Sequence, residues 1–126
     1  MDARLTARLV AAGRIGFGLA LIVSPGRMTA VWLGRDADRA GTQVVIRGLA
    51  ARDLALGAGA IAVPQSQLWP WVAAGIVADT ADMVATLSAG DPLPLAGRVL
   101  VAVVASGGAA LGVMALAGLR PRSPSS

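Results

Sequence analysis

Six charged residues lie inside segments that are otherwise apolar, and they are the residues of this chain best suited to chemistry. They are Arg14, Arg47, Arg52, Asp53, Asp79 and Asp82. An aspartate can give or take a proton, and an arginine can hold an anionic or polar group. The chain has no histidine, cysteine or tyrosine, so the usual ligands of zinc, haem and iron–sulfur clusters are missing. We therefore expect neither a metal nor a cofactor.

Four apolar segments must position these charges, and each is long enough to cross a membrane. We predict helices over residues 5–23, 44–63, 68–89 and 99–119. About 20 helical residues at 1.5 Å each span the hydrocarbon core of a bilayer. Hydrophobic residues make up 56% of the chain, and its 16 glycines are also typical of membrane helices. The expected fold is an all-α integral membrane four-helix bundle in the cell membrane. A single domain would cover residues 1–119, with a disordered polar tail over 120–126.

The connections between these helices carry further signals. Residues 24–26, Ser-Pro-Gly, are expected to end the first helix. The apolar stretch 28–34 is too short to span, and its Trp32 predicts a short helix at the membrane interface. Residues 34–39, GRDADR, are expected to form a solvated loop. The short link 64–67 makes the second and third long helices antiparallel neighbours. Arginines are equally frequent on the two sides, so the membrane orientation stays open.

The charges fall near the middle of three different predicted helices, and this predicts pairing between helices. A central Arg or Asp costs about 2.5–3.5 kcal/mol to insert, whereas a Leu, Ile or Val returns about 0.3–0.6 kcal/mol. The helix that carries Arg52 and Asp53 is therefore not expected to lie in lipid alone. We predict that Arg52 pairs with Asp79 or Asp82, and that Asp53 pairs with Arg14. Arg47 is also a candidate, although it lies close enough to a helix end to reach water.

The third long helix should turn one polar face toward the other helices. Gly75, Asp79, Asp82 and Thr86 recur at intervals of four, three and four residues. On a helix with 3.6 residues per turn, this spacing forms a single stripe. We expect the stripe to point into the bundle.

Other classes of protein fit the sequence less well. Eleven arginines against seven aspartates give a formal charge of +4, but the arginines are scattered and aromatic residues are few, so nucleic acid is not an expected partner. A basic membrane protein facing anionic lipid is the simpler interpretation. The first helix could instead be a cleaved signal peptide, yet Arg14 interrupts its apolar run and no cleavage site follows. A soluble helical domain is disfavoured by the uniformly apolar last helix.

Three stretches resemble a known family. They are GFGLALIVSPGRMTAVWLG (16–34), RGLAARDLALG (47–57) and ADTADMVATL (78–87). In these features the chain resembles small four-helix membrane proteins of bacteria and fungi, catalogued as the domain of unknown function numbered 4267. It is similar, more distantly, to the DoxX-like four-helix proteins. The resemblance implies the architecture over nearly the whole chain up to Leu119, and points to Asp82 as the aspartate of the third motif, but it implies no activity.

Three functions remain open at this stage. The six charged residues could bind a small polar, anionic or amphipathic ligand or relay protons, and for a transporter an oligomer would be expected. An intramembrane enzyme, such as an isomerase, a cyclase or an epoxide-opening enzyme, could use Asp53, Asp79 and Asp82, because a carboxyl group removed from water holds its proton more tightly. A structural membrane protein would keep the same charges as an inert ion-pair core. A cavity beside the charges would favour the first two, and dry, fully paired side chains would favour the third.

Overall fold

Five α-helices account for most of the part of the chain that the computed structural model describes, residues 2–119. The helices are α1 (Ala3–Val23), α2 (Pro25–Leu33), α3 (Ala40–Ala62), α4 (Leu68–Ala89) and α5 (Leu95–Leu119). Two short 3₁₀ turns, Gly34–Asp38 and Gln65–Gln67, join them, and there is no strand between residues 2 and 119. The predicted all-α class is confirmed. The tail over 120–126, predicted to be disordered, lies outside the described residues.

Helix α1 ends at Val23, where Ser-Pro-Gly is predicted to end it, and α2 follows almost at once. Only Ser24 separates the two helices, and Pro25 is the first residue of α2. Proline suits this position because its fixed φ fits a helix and its missing N–H would have no partner there. The predicted solvated loop over 34–39 is wrong in part, because Gly34–Asp38 is helical and Ala37 is buried.

The four longer helices pack side by side with antiparallel neighbours. Helix α1 lies along α3, where Gly18 meets Ala50 and Gly57 meets Ala11. Helix α4 lies along α5 in the same way, and α1 also packs against α5. The predicted antiparallel contact between α3 and α4 is present but smaller. The four helices enclose a narrow interior, and each of them turns one face toward it.

Small residues fill this interior, and large apolar side chains cover the outside. The largest buried cluster is built mainly from alanine, with Leu68 as its only large member among the described residues. Many valines, leucines and methionines are exposed, including Val23, Val77 and Met114. Three helical stretches are long and apolar enough to cross a membrane: Ala3–Val23, Gln65–Ala89 and Leu95–Leu119. Helix α3 is not among them, and it carries three of the six charges described above.

Candidate functional site

Arg14 of α1 links α3 to α4 through its guanidinium group. Its Nη1 donates to Oδ1 of Asp53 at 3.0 Å, and its Nη2 donates to Oδ2 of Asp79 at 2.6 Å. The same Nη2 donates to the backbone carbonyl of Gly75 at 3.0 Å. Gly75 is suited to this contact, because a Cβ there would lie only 3.0 Å from Nη2 of Arg14. The predicted pairing of Arg14 with Asp53 is confirmed.

Arg52 of α3 forms a second bridge to α4. Its Nη1 and Nη2 donate to the two carboxylate oxygens of Asp82 at 3.0 and 2.7 Å. This two-pronged geometry is the strongest form of an arginine–carboxylate pair. Nη2 also lies 3.4 Å from Oδ1 of Asp53, the neighbouring residue. Of the two partners predicted for Arg52, Asp82 is the one that it contacts.

Asp53 therefore joins the two bridges into one charge network of Asp79, Arg14, Asp53, Arg52 and Asp82. It is also the most buried member, with 4% of its surface exposed. Asp79 and Asp82 lie on the predicted inward stripe of α4, which also holds the buried Gly75 and Thr86. Helix α5 makes room for the network at Gly108, where a Cβ would lie 2.6 Å from Oδ2 of Asp79.

The charge network contains two guanidinium groups and three carboxylates. If every group is ionised, one negative charge has no counterpart within the network. Two carboxylate oxygens also accept no hydrogen bond from residues 2–119, Oδ2 of Asp53 and Oδ1 of Asp79. The arrangement can therefore still accept hydrogen bonds and can compensate one positive charge.

Arg47 is not brought into the network. Its side chain is exposed on α3, and it forms no ion pair with another residue of the described part. It lies two turns after the start of α3, which places it toward the end of the molecule that holds α2. The sequence suggests three arginines against three aspartates, but without Arg47 the network has two arginines against three aspartates.

A cavity of about 310 Å³ opens beside the network. Arg14, Asp53, Asp79 and Asp82 form its polar wall, whereas Arg52 does not line it. The remaining wall is almost entirely apolar and comes from α1, α2, α3 and α5. Its apolar and small residues include Gly13, Phe17, Met28, Trp32, Leu49, Leu100, Val104 and Gly108. The volume is at the lower end of the range for small-molecule sites.

Helix α2 covers one side of the cavity and is held there by two contacts. Trp32 donates from Nε1 to Oγ1 of Thr86 at 3.2 Å, and Thr86 is buried. On α5, Gly97 lets the backbone of α2 approach closely at Val31 and Trp32. The short apolar helix predicted around Trp32 therefore exists, and Trp32 is only partly exposed.

Sequence reasoning missed the apolar half of the site. Phe17 and Met28 carry no polar atom that would distinguish them from core or lipid-facing residues. Gly13 is next to Arg14 in the sequence, but its neighbourhood gave no sign of open space. The one available signal was Trp32, because a tryptophan in a short apolar helix usually needs a partner for its N–H.

No protein-family model, no curated protein and no solved structure matches the chain.

Proposed function

We propose that this chain is an integral membrane protein that binds a small amphipathic ligand in the cavity beside its charge network. Four helices, α1, α3, α4 and α5, would span the bilayer, with α2 near one interface. We also propose that the chain belongs to the family that its sequence resembles, the domain of unknown function numbered 4267.

The distribution of residues supports membrane insertion. Large aliphatic side chains on the outside and alanine and glycine between the helices are the arrangement that lipid favours, because apolar surface need not be hidden from a bilayer. A soluble monomer rarely exposes so much contiguous apolar surface. Helix α3 has the charges that would exclude it from lipid, yet Arg52 and Asp53 form ion pairs inside the molecule.

The cavity is the observation that carries the ligand-binding function. An inert ion-pair core predicts dry and fully paired side chains, whereas this network borders about 310 Å³ of space and keeps two carboxylate oxygens without a donor from residues 2–119. Apolar walls with a few convergent polar groups are typical of small-molecule sites. Ionisable residues within membrane segments also mark functional sites more often than structural ones.

Relay of protons across the membrane has less support, because the network runs across the helices and not along them. Asp79 and Asp82 differ by three residues, or about 4.5 Å along α4. The hydrocarbon core is about 30 Å thick. Charges that all lie at one level provide a binding site and do not form a transmembrane path.

An acid–base enzyme is the second candidate. Asp53 and Asp79 line the same cavity, and both contact the guanidinium group of Arg14. Two carboxylates held in different surroundings can act as an acid and a base on one substrate. A bound lipophilic molecule would in that case be converted by the purified protein, and Asp79→Asn would abolish the conversion.

A pair of glycine substitutions on α1 tests the ligand-binding proposal. Apart from the neighbouring residues and backbone of α1 itself, no described atom lies within 4 Å of a Cβ added at Gly13 or at Gly16. Of these two glycines, Gly13 lines the cavity and Gly16 does not. Gly13→Leu should therefore fill the cavity, and Gly16→Leu should leave it open. We would extract the small molecules that copurify with each variant and with the parent, and compare them by mass spectrometry.

A compound present with the parent and with Gly16→Leu but depleted from Gly13→Leu would support the proposal. Identical extracts from all three proteins would contradict it. Membrane insertion is tested separately by an alkaline wash of membranes, which should leave the chain in the pellet.

A further inference from the structure

We infer that the cavity selects a ligand with a protonated amine and an apolar body. This inference rests on the proposed ligand-binding function and names the class of ligand. Its basis is the charge balance of the polar wall together with the composition of the apolar wall.

When all of its groups are ionised, the charge network lacks one positive charge, because Arg14 and Arg52 supply two and the three aspartates require three. A charge of either sign is costly when it is removed from water without a partner. A ligand that brings one positive charge would complete the network, whereas a ligand with a negative charge would double the imbalance.

The hydrogen-bonding groups of the wall point to the same class of ligand. The two terminal nitrogens of Arg14 already donate three hydrogen bonds to protein acceptors, two of them to aspartates. Among the described residues, Oδ2 of Asp53 and Oδ1 of Asp79 accept no hydrogen bond. Neither oxygen is fully buried, so both can accept a hydrogen bond from a molecule in the cavity. An ammonium group provides three donors as well as the missing charge.

The apolar wall is suited to the rest of such a molecule. Phe17 and Trp32 contribute aromatic rings, and Met28 contributes a flexible thioether. Aromatic faces attract a cation as well as apolar groups, and methionine adapts to irregular shapes. Because the cavity contacts exposed residues of α1 and α5, an amphipathic molecule could enter from the lipid side.

Three probes of nearly equal size test this inference at neutral pH. They are phenethylammonium, which is a cation, 2-phenylethanol, which is neutral, and 3-phenylpropionate, which is an anion. Their affinities for the full-length protein in a non-ionic maltoside detergent would be measured by isothermal titration calorimetry. We expect phenethylammonium to bind about 10- to 100-fold more tightly than 2-phenylethanol, as a charge-assisted hydrogen bond would provide. The anion should bind most weakly.

Two kinds of variant refine the test. Asp79→Asn equalises the charges of the network, so the preference for the cation over the alcohol should disappear. Gly13→Leu should weaken the binding of the cation and the alcohol about equally, and Gly16→Leu should weaken neither. The comparison of the three probes on the parent protein needs no variant, so it remains decisive if Asp79→Asn does not fold.

The outcomes separate this inference from the proposed function. Equal affinities for the cation and the alcohol, or tighter binding of the anion, would overturn the preference for amines. If Gly13→Leu still weakened the binding of these probes, the cavity would nevertheless be supported as a binding site. Binding of none of the probes, or binding that Gly13→Leu leaves unchanged, would overturn both.

Discussion

The helices pack closely at one end of the molecule and are separated by a cavity at the other. Toward the chain termini the helices close on one another, and the space beside Arg14 shrinks to about 20 Å³, roughly the size of a water molecule. Toward α2 the helices separate, and the cavity reaches about 310 Å³. We call these the closed half and the open half. The charge network lies between them, and Arg14 and Gly108 border both.

Residue size explains the closed half. A Cβ on Gly118 would lie 2.5 Å from the Cβ of Ala3, and one on Gly112 would lie 2.6 Å from the Cγ1 of Ile76. Helices that approach this closely leave no room for a ligand. Glycine and alanine are the residues that allow such contact in membrane helices.

Helix α2 explains the open half. At the far end of α5, Gly97 contacts α2 at Val31 and Trp32 and not α1. Helix α2 is therefore inserted where α1 and α5 would otherwise meet. The cavity is therefore a consequence of the tight turn at Ser24, which folds α2 back over the end of the molecule.

The largest effect should come from the residue at the boundary between the halves. Asp53→Asn removes the charge that both Arg14 and Arg52 contact, and breaking a buried pair in this way costs about 3–5 kcal/mol. Unfolding by sodium dodecyl sulfate in mixed micelles would measure the change. Asp36→Asn is a matched control, because Asp36 pairs with Arg39 at 3.0 Å but both are exposed, and such pairs contribute about 0–1 kcal/mol.

A stability of Asp53→Asn equal to that of Asp36→Asn would contradict this prediction. It would mean that the ionised network contributes little to the free energy of unfolding or lowers it, as groups kept for function often do.

The pairing of Arg14 with Asp53 and of Arg52 with an aspartate of α4 could be predicted from sequence, but the contact of Arg14 with Asp79 and the cavity could not. Arg14, Asp53 and Asp79 fall near the middle of their segments, and the cost of an unpaired charge in lipid leaves few arrangements. The position of α2 depends instead on one turn at Ser24 and on the missing side chain at Gly97. Neither feature changes the spacing of apolar residues along the chain, which is the signal that sequence analysis reads. Sequence analysis places Arg47 with the network because the position of a residue along a helix can be read from sequence. The side of α3 to which Arg47 points cannot be read in this way, because most faces of that helix are apolar.

A second prediction compares glycines in the two halves. Gly57→Ala should destabilise the protein by about 1–3 kcal/mol, because the new Cβ would lie 2.6 Å from the backbone oxygen of Ala11 and 2.7 Å from Cγ1 of Ile15. Gly16→Ala meets no atom within 4 Å, so it should gain up to about 1 kcal/mol from helix propensity. The same unfolding titration measures both. Equal effects would show that the close approach of α1 and α3 is not maintained in solution.

A third prediction concerns the attachment of α2 over the cavity. Trp32→Phe removes the donor to Thr86, a hydrogen bond of 3.2 Å, and should cost about 1 kcal/mol. Trp69→Phe serves as the control, because Trp69 is 54% exposed and makes no hydrogen bond to another described residue. Hydrogen exchange of α2 amides should also accelerate in Trp32→Phe. Unchanged exchange would indicate that α2 is held mainly by its backbone contact with Gly97.

The smallest effect on stability should come from Asp79→Asn, although Asp79 makes the shortest hydrogen bond of the network, 2.6 Å to Arg14. Asparagine can still accept this bond through its side-chain oxygen. Both substitutions remove the excess negative charge, but Asp79→Asn breaks one ion pair, to Arg14, whereas Asp53→Asn breaks the contacts with both Arg14 and Arg52. We expect a change within about 1 kcal/mol, well below that of Asp53→Asn. If Asp79→Asn instead costs about 3–5 kcal/mol, as removal of a partner from a balanced buried pair does, then the third carboxylate is already compensated and the open half has no need of a cationic ligand.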